Sequence, residues 1–393
     1  MVKKKNRKEV GIYVHIPFCL KKCRYCDFLS TPTDEAEKER YVQAVLQEIA
    51  SYQEVAKAYQ VRTIYFGGGT PSLLNPSLIC DILEKIAKVF SISDRSSLEI
   101  TLEVNPKTAN REKWKQYKAM GINRISIGLQ STHDDELRLL GRAHSYADFL
   151  ETYTQARECG FHNISIDVMS ALPGQTLEKY EETLQRIVEL NPEHISSYSL
   201  IIEKHTPFWE LYGEGKACEK DLPDEALDRK MYERTKEIFS LHAYERYEIS
   251  NYAKKGFESK HNSSYWQRIP YIGIGLGASS FFEDQRFHNP LQMQEYIRVA
   301  GNSEKRKREV EHIGTREAME EFMFLGLRMQ CGIEKAAFYK SFGKQIEQVY
   351  GEVLEKLEKQ GVLRQNEFCV FLTDYGIDVS NLVLSEFLLA RRA

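Results

Sequence analysis

The sequence predicts an α/β fold, in which a partial (β/α)6 barrel precedes a small C-terminal α+β domain of winged-helix type. Six short runs of β-branched and aromatic residues recur up to residue 200, and helix-like or loop sequence separates each run from the next. Parallel strands require such crossovers. The predicted strands are residues 11–16, 61–66, 98–104, 123–129, 162–168 and 194–200.

The helices predicted between these strands end at Gly or before Pro in several cases. They are residues 35–59, 75–90, 111–120, 146–158 and 177–190. Ligands of parallel α/β folds bind at the carboxyl ends of the strands. The polar and glycine-rich motifs of this chain follow the strands in that position: CxxxCxxC, GGGTP, EVNP, GLQS and Asp167.

Length and composition predict more than one domain and no membrane span. The chain has 393 residues, 42% of them hydrophobic, and its net charge of −3 provides no general attraction for nucleic acid. No window approaches the length of uncharged sequence that crosses a bilayer, so we expect a cytoplasmic protein. The predicted domains are a barrel core at 1–205, an extension at 206–312 and a C-terminal domain at 313–393.

The C-terminal segment changes pattern. Helices are predicted at 315–329, 335–342 and 345–360, and VLRQNEFCVFLT reads as two short strands around Asn366 and Glu367. A winged-helix shape can bind DNA, but the charges here are of mixed sign, so no nucleic-acid partner is expected. The KRKR run at 305–308 is expected to be solvated.

Three of the eight cysteines, Cys19, Cys23 and Cys26, form a CxxxCxxC cluster directly after the first predicted strand. Zinc sites usually complete four ligands with a second Cys or His pair, and the sequence shows no second pair. Clustered thiolates suit an iron-sulfur cluster, and three thiolates on a 4Fe-4S cube leave one iron open to a small chelating molecule. The other five cysteines are scattered, as buried thiols in a reducing compartment would be.

At this point the sequence resembles the radical S-adenosylmethionine (SAM) superfamily. YVHIPFC, FGGGTPS, LEVNP, GLQS, GRAHS and SIDVMSALPGQT together resemble its anaerobic coproporphyrinogen III oxidase-like branch, and HNSSYW at 261–266 is similar to the HNxxYW signature of the haem chaperones in that branch. The resemblance implies that SAM chelates the open iron and that reduction of its sulfonium yields a 5′-deoxyadenosyl radical.

The resemblance also implies a set of SAM contacts. They are Tyr13, Tyr25, Gly68, Gly69, Thr70, Glu103, Gln130, Arg142 and Asp167. Chemistry supports part of this set, because glycines allow a close approach of the backbone and a carboxylate accepts hydrogen bonds from ribose hydroxyls. Ordinary structural roles remain open for the polar members, including a solvated strand end for Glu103.

In HNSSYW the resemblance points to haem. The predicted contacts are His261, Asn262, Tyr265 and Trp266. An imidazole can ligate haem iron, and Tyr and Trp can form an amphipathic wall for a flat macrocycle. The alternative is that these side chains only anchor an irregular segment. His15, on the first strand, is the next candidate ligand.

Two departures separate this chain from the oxidases. Phe28 stands where the oxidases carry a further cysteine, and Cys19 lies near the start, where they have a long N-terminal arm. The resemblance therefore implies a chaperone that binds a 4Fe-4S cluster, SAM and haem and passes haem to an acceptor. A respiratory haem protein is one candidate acceptor. An electron donor for the cluster is a second implied partner, and a homodimer is one candidate assembly.

Two alternatives to the chaperone remain. One is an oxygen-independent coproporphyrinogen III oxidase, in which the SAM radical initiates decarboxylation of propionate side chains. The other is a radical SAM enzyme that acts on another substrate, because barrel and cluster serve many chemistries.

Overall fold

The computed structural model describes residues 7–389, and a twelve-stranded sheet dominates the structure. Its six central strands are consecutive and parallel, so the predicted α/β frame is confirmed. Each predicted run overlaps one of them. They are β1 (Lys8–Ile16), β2 (Tyr59–Gly68), β3 (Glu99–Val104), β4 (Arg124–Gln130), β5 (Ile164–Ser170) and β6 (His194–Ser199).

Helices connect these strands, as parallel pairing requires. They are α1 (Glu35–Ser51), α2 (Pro76–Val89), α3 (Arg111–Ala119), α4 (Asp134–Leu140), α5 (Tyr146–Glu158) and α6 (Leu177–Glu189). The helix predicted at 35–59 was too long: α1 ends at Ser51, a 3-10 turn follows, and Tyr59 already pairs with Lys8 in the sheet. Helix α4 was not predicted. It is a short helix with acidic residues in its first turn, and it ends at Gly141 in the left-handed region.

Residues 206–312 extend the sheet at both edges, giving the order β12-β11-β10-β9-β1-β2-β3-β4-β5-β6-β8-β7. The added strands are β7 (Glu245–Arg246), β8 (Asn251–Ala253), β9 (Tyr271–Ile274), β10 (Ser279–Phe282), β11 (Gln285–His288) and β12 (Arg308–His312). The helices are α7 (Pro207–Tyr212), α8 (Glu225–Leu241), α9 (Lys260–Trp266), α10 (Met293–Val299) and α11 (Ser303–Arg306). The domain limits at 205 and 312 stay a prediction.

The C-terminal part has a hydrophobic cluster of its own, which includes Met323, Phe338 and Tyr350. Its helices are α12 (Thr315–Gly326), α13 (Lys335–Phe342), α14 (Ile346–Lys359), α15 (Asp374–Asp378) and α16 (Ser380–Ser385). Its strands are β13 (Ile333–Glu334), β14 (Leu363–Gln365) and β15 (Cys369–Leu372), paired antiparallel. The small α+β part is thus confirmed, with β13 as a third strand that was not predicted.

The pleat of the sheet separates apolar from polar side chains. In β1, Ile12, Val14 and Ile16 are fully buried on one face, while Tyr13 and His15 project from the other. Paired positions in neighbouring strands share a face, so polar side chains from β1 to β5 meet on the second face. In the described part of the chain, no helix is long and apolar enough to cross a membrane.

The expectation of a solvated KRKR run was wrong for one residue. Arg306 is fully buried and pairs with the buried Glu48 of α1, with 3.1 Å between Nε and Oε1. Glu48 also accepts hydrogen bonds from the Gly275 amide, Asn289 and Tyr296. This network ties α1 to the strands and helices of the extension, and a local charge pattern cannot reveal it.

Replacing Arg306 with Met should therefore destabilise the fold. The substitution keeps much of the side-chain volume but leaves the Glu48 carboxylate buried without its cation, which should lower the free energy of unfolding by about 3–5 kcal/mol. Chemical denaturation would measure the change. Lys305→Met, at the exposed neighbour in the same run, is the matched control and should have little effect. Equal stability of the two variants would contradict a stabilising role for the buried ion pair between Arg306 and Glu48.

Candidate functional site

The loop after β1 carries Cys19, Cys23 and Cys26, and distant segments hold it in place. Its backbone hydrogen bonds are Cys19 N to Thr31 O (3.3 Å), Arg24 N to Leu140 O (3.0 Å), Gly69 N to Ile16 O (2.9 Å) and Phe208 N to Arg24 O (3.0 Å). The loop is therefore bonded to the turn after β2, the end of α4 and the start of α7.

The three thiols are partly buried and unpaired, and all three belong to the loop that follows β1. Burial is the main cause that raises the pKa of Cys26, and the neighbouring thiols of Cys23 and Cys19 raise it further. Arg142 Nη1 donates to Cys23 Sγ at 3.6 Å. Within residues 7–389, no three Cys, His, Asp or Glu side chains are gathered closely enough to hold a single metal ion. A cube takes each thiolate on a different iron, so this donor set fits a 4Fe-4S cluster.

Gly68 and Gly69, at the end of β2, lie against β1 and the start of the cysteine loop. A Cβ at Gly68, where φ is +110°, would lie 2.4 Å from His15 Cε1, and one at Gly69 would lie 2.7 Å from Phe18 O. Both glycines are predicted SAM contacts. Here Gly68 N donates to Glu103 Oε2 at 3.1 Å and Gly69 N donates to Ile16 O at 2.9 Å. Their contact with SAM stays a prediction.

Glu103 is the penultimate residue of β3, and its carboxylate lies against that turn. Its Oε1 accepts a 2.8 Å hydrogen bond from the Tyr65 hydroxyl, and its Oε2 accepts from Gly68 N. Burial raises the pKa of Glu103 to about 7, and the nearby Asp167 adds to the rise, while the two hydrogen bonds oppose it. Each carboxylate oxygen has a second lone pair, so the group can still accept from a ligand hydroxyl.

Gln130 and Arg142 come together around Gly128 of β4. Gln130 has a φ of +75° at a register shift between β4 and β5, an irregularity that redirects its side chain. Arg142 Nη2 donates to Gly128 O and to Asn105 Oδ1, both at 2.7 Å. A Cβ at Gly128 would lie within 3.1 Å of all three polar side chains. A side chain at position 128 would therefore push these polar groups aside by a few tenths of an ångström.

Asn105 was not predicted as a site residue. Besides accepting from Arg142, it donates from Nδ2 to Thr70 Oγ1 at 2.7 Å, and Thr70 lies 3.6 Å from Cys19 Sγ. It therefore joins the glycine turn, the cysteine loop and Arg142. The signal was present in the EVNP motif, where Asn105 stands at the carboxyl end of a buried strand.

Asp167 lies beside Gly128 in the sheet and accepts from Ser126 at 3.0 and 3.2 Å. Burial raises its pKa, which these hydroxyl contacts oppose. Asp167 therefore faces the same side of the sheet as Glu103, but its hydrogen bonds here are to protein groups. Its role toward SAM stays a prediction.

The aromatic side chains near the cysteine loop also contact other protein groups. Tyr13 OH donates to His15 Nδ1 at 3.0 Å, because His15 Nε2 must donate to Leu29 O at 2.9 Å. Burial lowers the pKa of His15, so the ring is neutral. The Tyr25 ring lies 6.4 Å from that of Phe208, and burial raises the pKa of Tyr25.

Helix α9 contains HNSSYW and inserts His261 into the polar face of the sheet. His261 is 1% exposed, and its Nδ1 and Nε2 lie 2.8 Å from the hydroxyls of Thr63 and Tyr265. Its ring stacks on Tyr65 with centroids 5.0 Å apart, and burial lowers its pKa to about 3. Asn262 contributes its backbone amide to the Ser259 cap of this helix. Both ring nitrogens of His261 thus have protein partners, as an anchoring residue would.

A cavity of about 530 Å³ lies beside the cysteine loop. Its wall includes Tyr13, His15, Asp27, Phe28, Leu29, Tyr265, Trp266, Arg268, Tyr271, Phe281 and Arg286. Of the HNSSYW residues predicted to contact haem, Tyr265 and Trp266 line it and His261 and Asn262 do not. Phe28, Arg268 and Arg286 were not predicted as site residues, because strand and loop segments distant in sequence assemble this wall.

The parallel frame and the three-cysteine loop define the class of protein. Residues 13–187 match the radical SAM superfamily model, and residues 315–379 match the HemN C-terminal domain model. The superfamily implies a 4Fe-4S cluster and SAM as cofactors.

Similar proteins identify the branch. The chain is 37% identical over 378 residues to the heme chaperone HemW of Bacillus subtilis, covering 96% of this chain and 98% of the relative. It is 35% identical over 383 residues to the heme chaperone HemW of Lactococcus lactis, covering 98% of each. This chain belongs to the HemW family.

One solved structure has the same fold over nearly the whole length. Coproporphyrinogen III oxidase (HemN) from Escherichia coli, described as a radical SAM enzyme, matches with a TM-score of 0.83 and 22% identity, covering 97% of this chain and 90% of that chain. At this identity the match establishes architecture only, and it confirms the predicted fold.

The raised pKa of Glu103 predicts a pH-dependent loss of stability. The folded state holds a proton at Glu103 up to pH of about 7, whereas the unfolded chain releases it near 4.5, so folding stability should fall as pH rises between these values. The difference between the pKa of Glu103 in the folded and in the unfolded chain corresponds to about 3 kcal/mol of folding stability. Denaturation of wild type and Glu103→Gln at several pH values would measure it. The stability of wild type relative to the variant should decline from pH 5 to pH 8.

Asp94→Asn provides the control for that measurement. Hydrogen bonds from Ser96 lower the pKa of Asp94 below 3.8, so its stabilising effect is lost only in more acidic solution. The stability of wild type relative to Asp94→Asn should therefore not change between pH 5 and pH 8. A flat profile for Glu103 as well would contradict its raised pKa.

Proposed function

We propose that this protein is a haem chaperone with a radical SAM fold, which binds a 4Fe-4S cluster, SAM and haem and transfers haem to an acceptor protein. The observation that carries the proposal is the cavity of about 530 Å³ beside the cysteine loop, with an aromatic wall and two arginines. The names of the relatives support it, because both HemW proteins compared above are called heme chaperones.

In this proposal Cys19, Cys23 and Cys26 ligate the cluster. The SAM residues are Tyr13, Tyr25, Gly68, Gly69, Thr70, Glu103, Gln130, Arg142 and Asp167. A bound cluster supplies one-electron reduction of the SAM sulfonium. The chain's own contribution is positional: Arg142 and Asn105 connect Cys23 to Thr70, and Glu103 presents a carboxylate beneath the glycine turn.

The cavity suits a large, mostly apolar ligand. Its volume lies within the range of about 300–1,000 Å³ that is usual for small-molecule sites, and such sites combine aromatic walls with few polar groups. Phe28, Tyr265, Trp266 and Phe281 provide that wall. Phe28 is 66% exposed, so an aromatic side chain meets solvent at the cavity where the oxidases carry a further cysteine.

Coordination of haem iron by His261 stays a prediction, and this geometry weighs against it. His261 does not line the cavity, and a bond from Nε2 to iron would have to replace the hydrogen bond to Tyr265. The ring supports α9, whose last residues Tyr265 and Trp266 reach the cavity. His261 in this arrangement positions the wall of the site without touching its ligand.

The proposed setting is the cytoplasm, where all eight cysteines, present here as free thiols, would stay reduced. The proposed partners are a haem-accepting protein, a respiratory haem protein being one candidate, and an electron donor for the cluster. The oxidase reaction remains the alternative function that the experiments below must exclude.

The cluster assignment predicts a sharp difference between two cysteine variants. Anaerobic reconstitution of wild type should yield about four irons and four sulfides per chain, and addition of SAM should perturb the spectrum of the cluster. Cys23→Ala should abolish both, because the cube loses one of its three protein ligands. Cys159→Ala, a matched thiol in the C-cap of α5, should leave them intact. Stoichiometric zinc in the wild type would contradict the cluster.

The haem assignment predicts different consequences at the two ends of α9. Trp266→Ala removes part of the cavity wall and should speed haem dissociation with a small spectral change. His261→Ala leaves a cavity and removes the hydrogen-bond partner of the Thr63 and Tyr265 hydroxyls, so the free energy of unfolding should fall by about 2–4 kcal/mol while the Soret maximum of bound haem stays in place. Haem titration with absorbance detection and chemical denaturation would measure both.

Two outcomes would contradict this account. A shifted Soret maximum in His261→Ala at unchanged stability would restore His261 as an axial ligand. Conversion of coproporphyrinogen III with coupled release of CO₂ and consumption of SAM, under reducing conditions, would overturn the chaperone proposal in favour of the oxidase.

A further inference from the structure

Two arginines of the cavity wall share one carboxylate from the C-terminal part. Arg268 Nε lies 2.8 Å from Glu321 Oε2, and Arg286 Nη1 lies 2.8 Å from Glu321 Oε1. The Glu321 side chain is 6% exposed, that of Arg268 is 15% exposed and that of Arg286 is 40% exposed. Glu321 lies in α12, and Leu325, one turn later in this helix, lines the same cavity.

Arg268 and Arg286 together carry two positive charges, whereas Glu321 carries one negative charge. The two guanidinium groups also have more N–H donors than one carboxylate can accept. Each guanidinium has five N–H donors, and one carboxylate serves both. Arg268 Nη2 is buried and, among the described residues, has no hydrogen-bond partner. Both guanidinium groups lie over the Phe281 ring, at 4.6 and 5.8 Å from its centroid, so an aromatic surface holds them beside one another.

A pair of arginines beside an aromatic cavity is the arrangement that recognises a flat ligand with carboxylate groups. Guanidinium binds carboxylate in a two-point geometry that other side chains do not match. Haem has an apolar macrocycle with two propionates at one edge, and the side chains that line the cavity include both aromatic rings and these two arginines. Asp27 is a carboxylate that also lines the cavity, but the ion pairs of both arginines are with Glu321.

We propose that Arg268 and Arg286 bind the propionates of haem and that Glu321 is an internal competitor, which occupies both arginines in the absence of ligand. The inference rests on the haem-binding function proposed above. Binding of haem carboxylates releases Glu321, and with it the tie between α12 and the cavity wall. Occupancy of the site is thereby coupled to the position of the C-terminal part.

The test compares haem with haem dimethyl ester, which lacks free carboxylates, in wild type and four variants. Glu321→Gln removes the competing charge and should tighten haem binding about tenfold, a free-energy change of about 1.4 kcal/mol. Arg268→Gln and Arg286→Gln should weaken haem binding by a similar factor. None of the three should change the affinity for the ester by more than about twofold. Glu317→Gln, the same change at an exposed position of α12, is the control. It should alter neither the affinity for haem nor the affinity for the ester.

The outcomes separate this inference from the proposed function. If wild type binds neither haem nor its ester, the haem-chaperone proposal itself fails. If wild type binds both equally well, or if Glu321→Gln and Arg286→Gln bind haem as wild type does, the propionate site is wrong while haem binding stands. Should Glu321→Gln fail to fold, the Arg286→Gln comparison decides the question, because this partly exposed side chain can be neutralised with little loss of packing.

Discussion

The close approach of the turn after β2 to the strand and loop of β1 is the constraint on which the site depends. Gly68 and Gly69 have no room for side chains, because the ring of His15 and the backbone of Phe18 occupy that space. The same two residues donate their amides to Glu103 and to Ile16. Steric exclusion and hydrogen bonding thus fix the cysteine loop, the glycine turn and the β3 carboxylate as one unit. A side chain at either glycine would move the thiols and the carboxylate apart.

Helix α9 extends this unit from the polar face of the sheet to the cavity. Its first half is held by Glu99, which accepts the amides of Lys260 and His261, and by the hydroxyl of Thr63. Its last residue, Trp266, lies under the guanidinium of Arg328, 4.5 Å from the ring centroid. One short helix therefore contacts the sheet and the C-terminal part, and its aromatic end is positioned by interactions at both.

The sequence predicted what depends on local pattern and missed what depends on distant partners. The six parallel strands were recognised because short runs of β-branched and aromatic residues alternate with helix-like sequence, and CxxxCxxC was recognised because its three cysteines lie within eight residues of the chain. Asn105 escaped notice because its partners Thr70 and Arg142 lie 35 and 37 residues away. The hydrogen bond between Thr63 and His261 spans 198 residues, and only the folded chain shows that this imidazole is enclosed. Arg306 was misjudged for the same reason.

The parallel pairing of β1 with β9 has a consequence for the order of folding. Gly11 pairs with Tyr271, so the strand that leads into the cysteine loop acquires its second neighbour from a segment 260 residues later. Closing a loop of that length costs entropy before any contact is gained, and chain synthesis proceeds from the N-terminus at about 5–20 residues per second. During translation β1 can pair with β2 early, but its other edge stays open until well over half of the polypeptide has emerged. The cofactor loop therefore reaches its final surroundings only after the segment around Tyr271 has been synthesised.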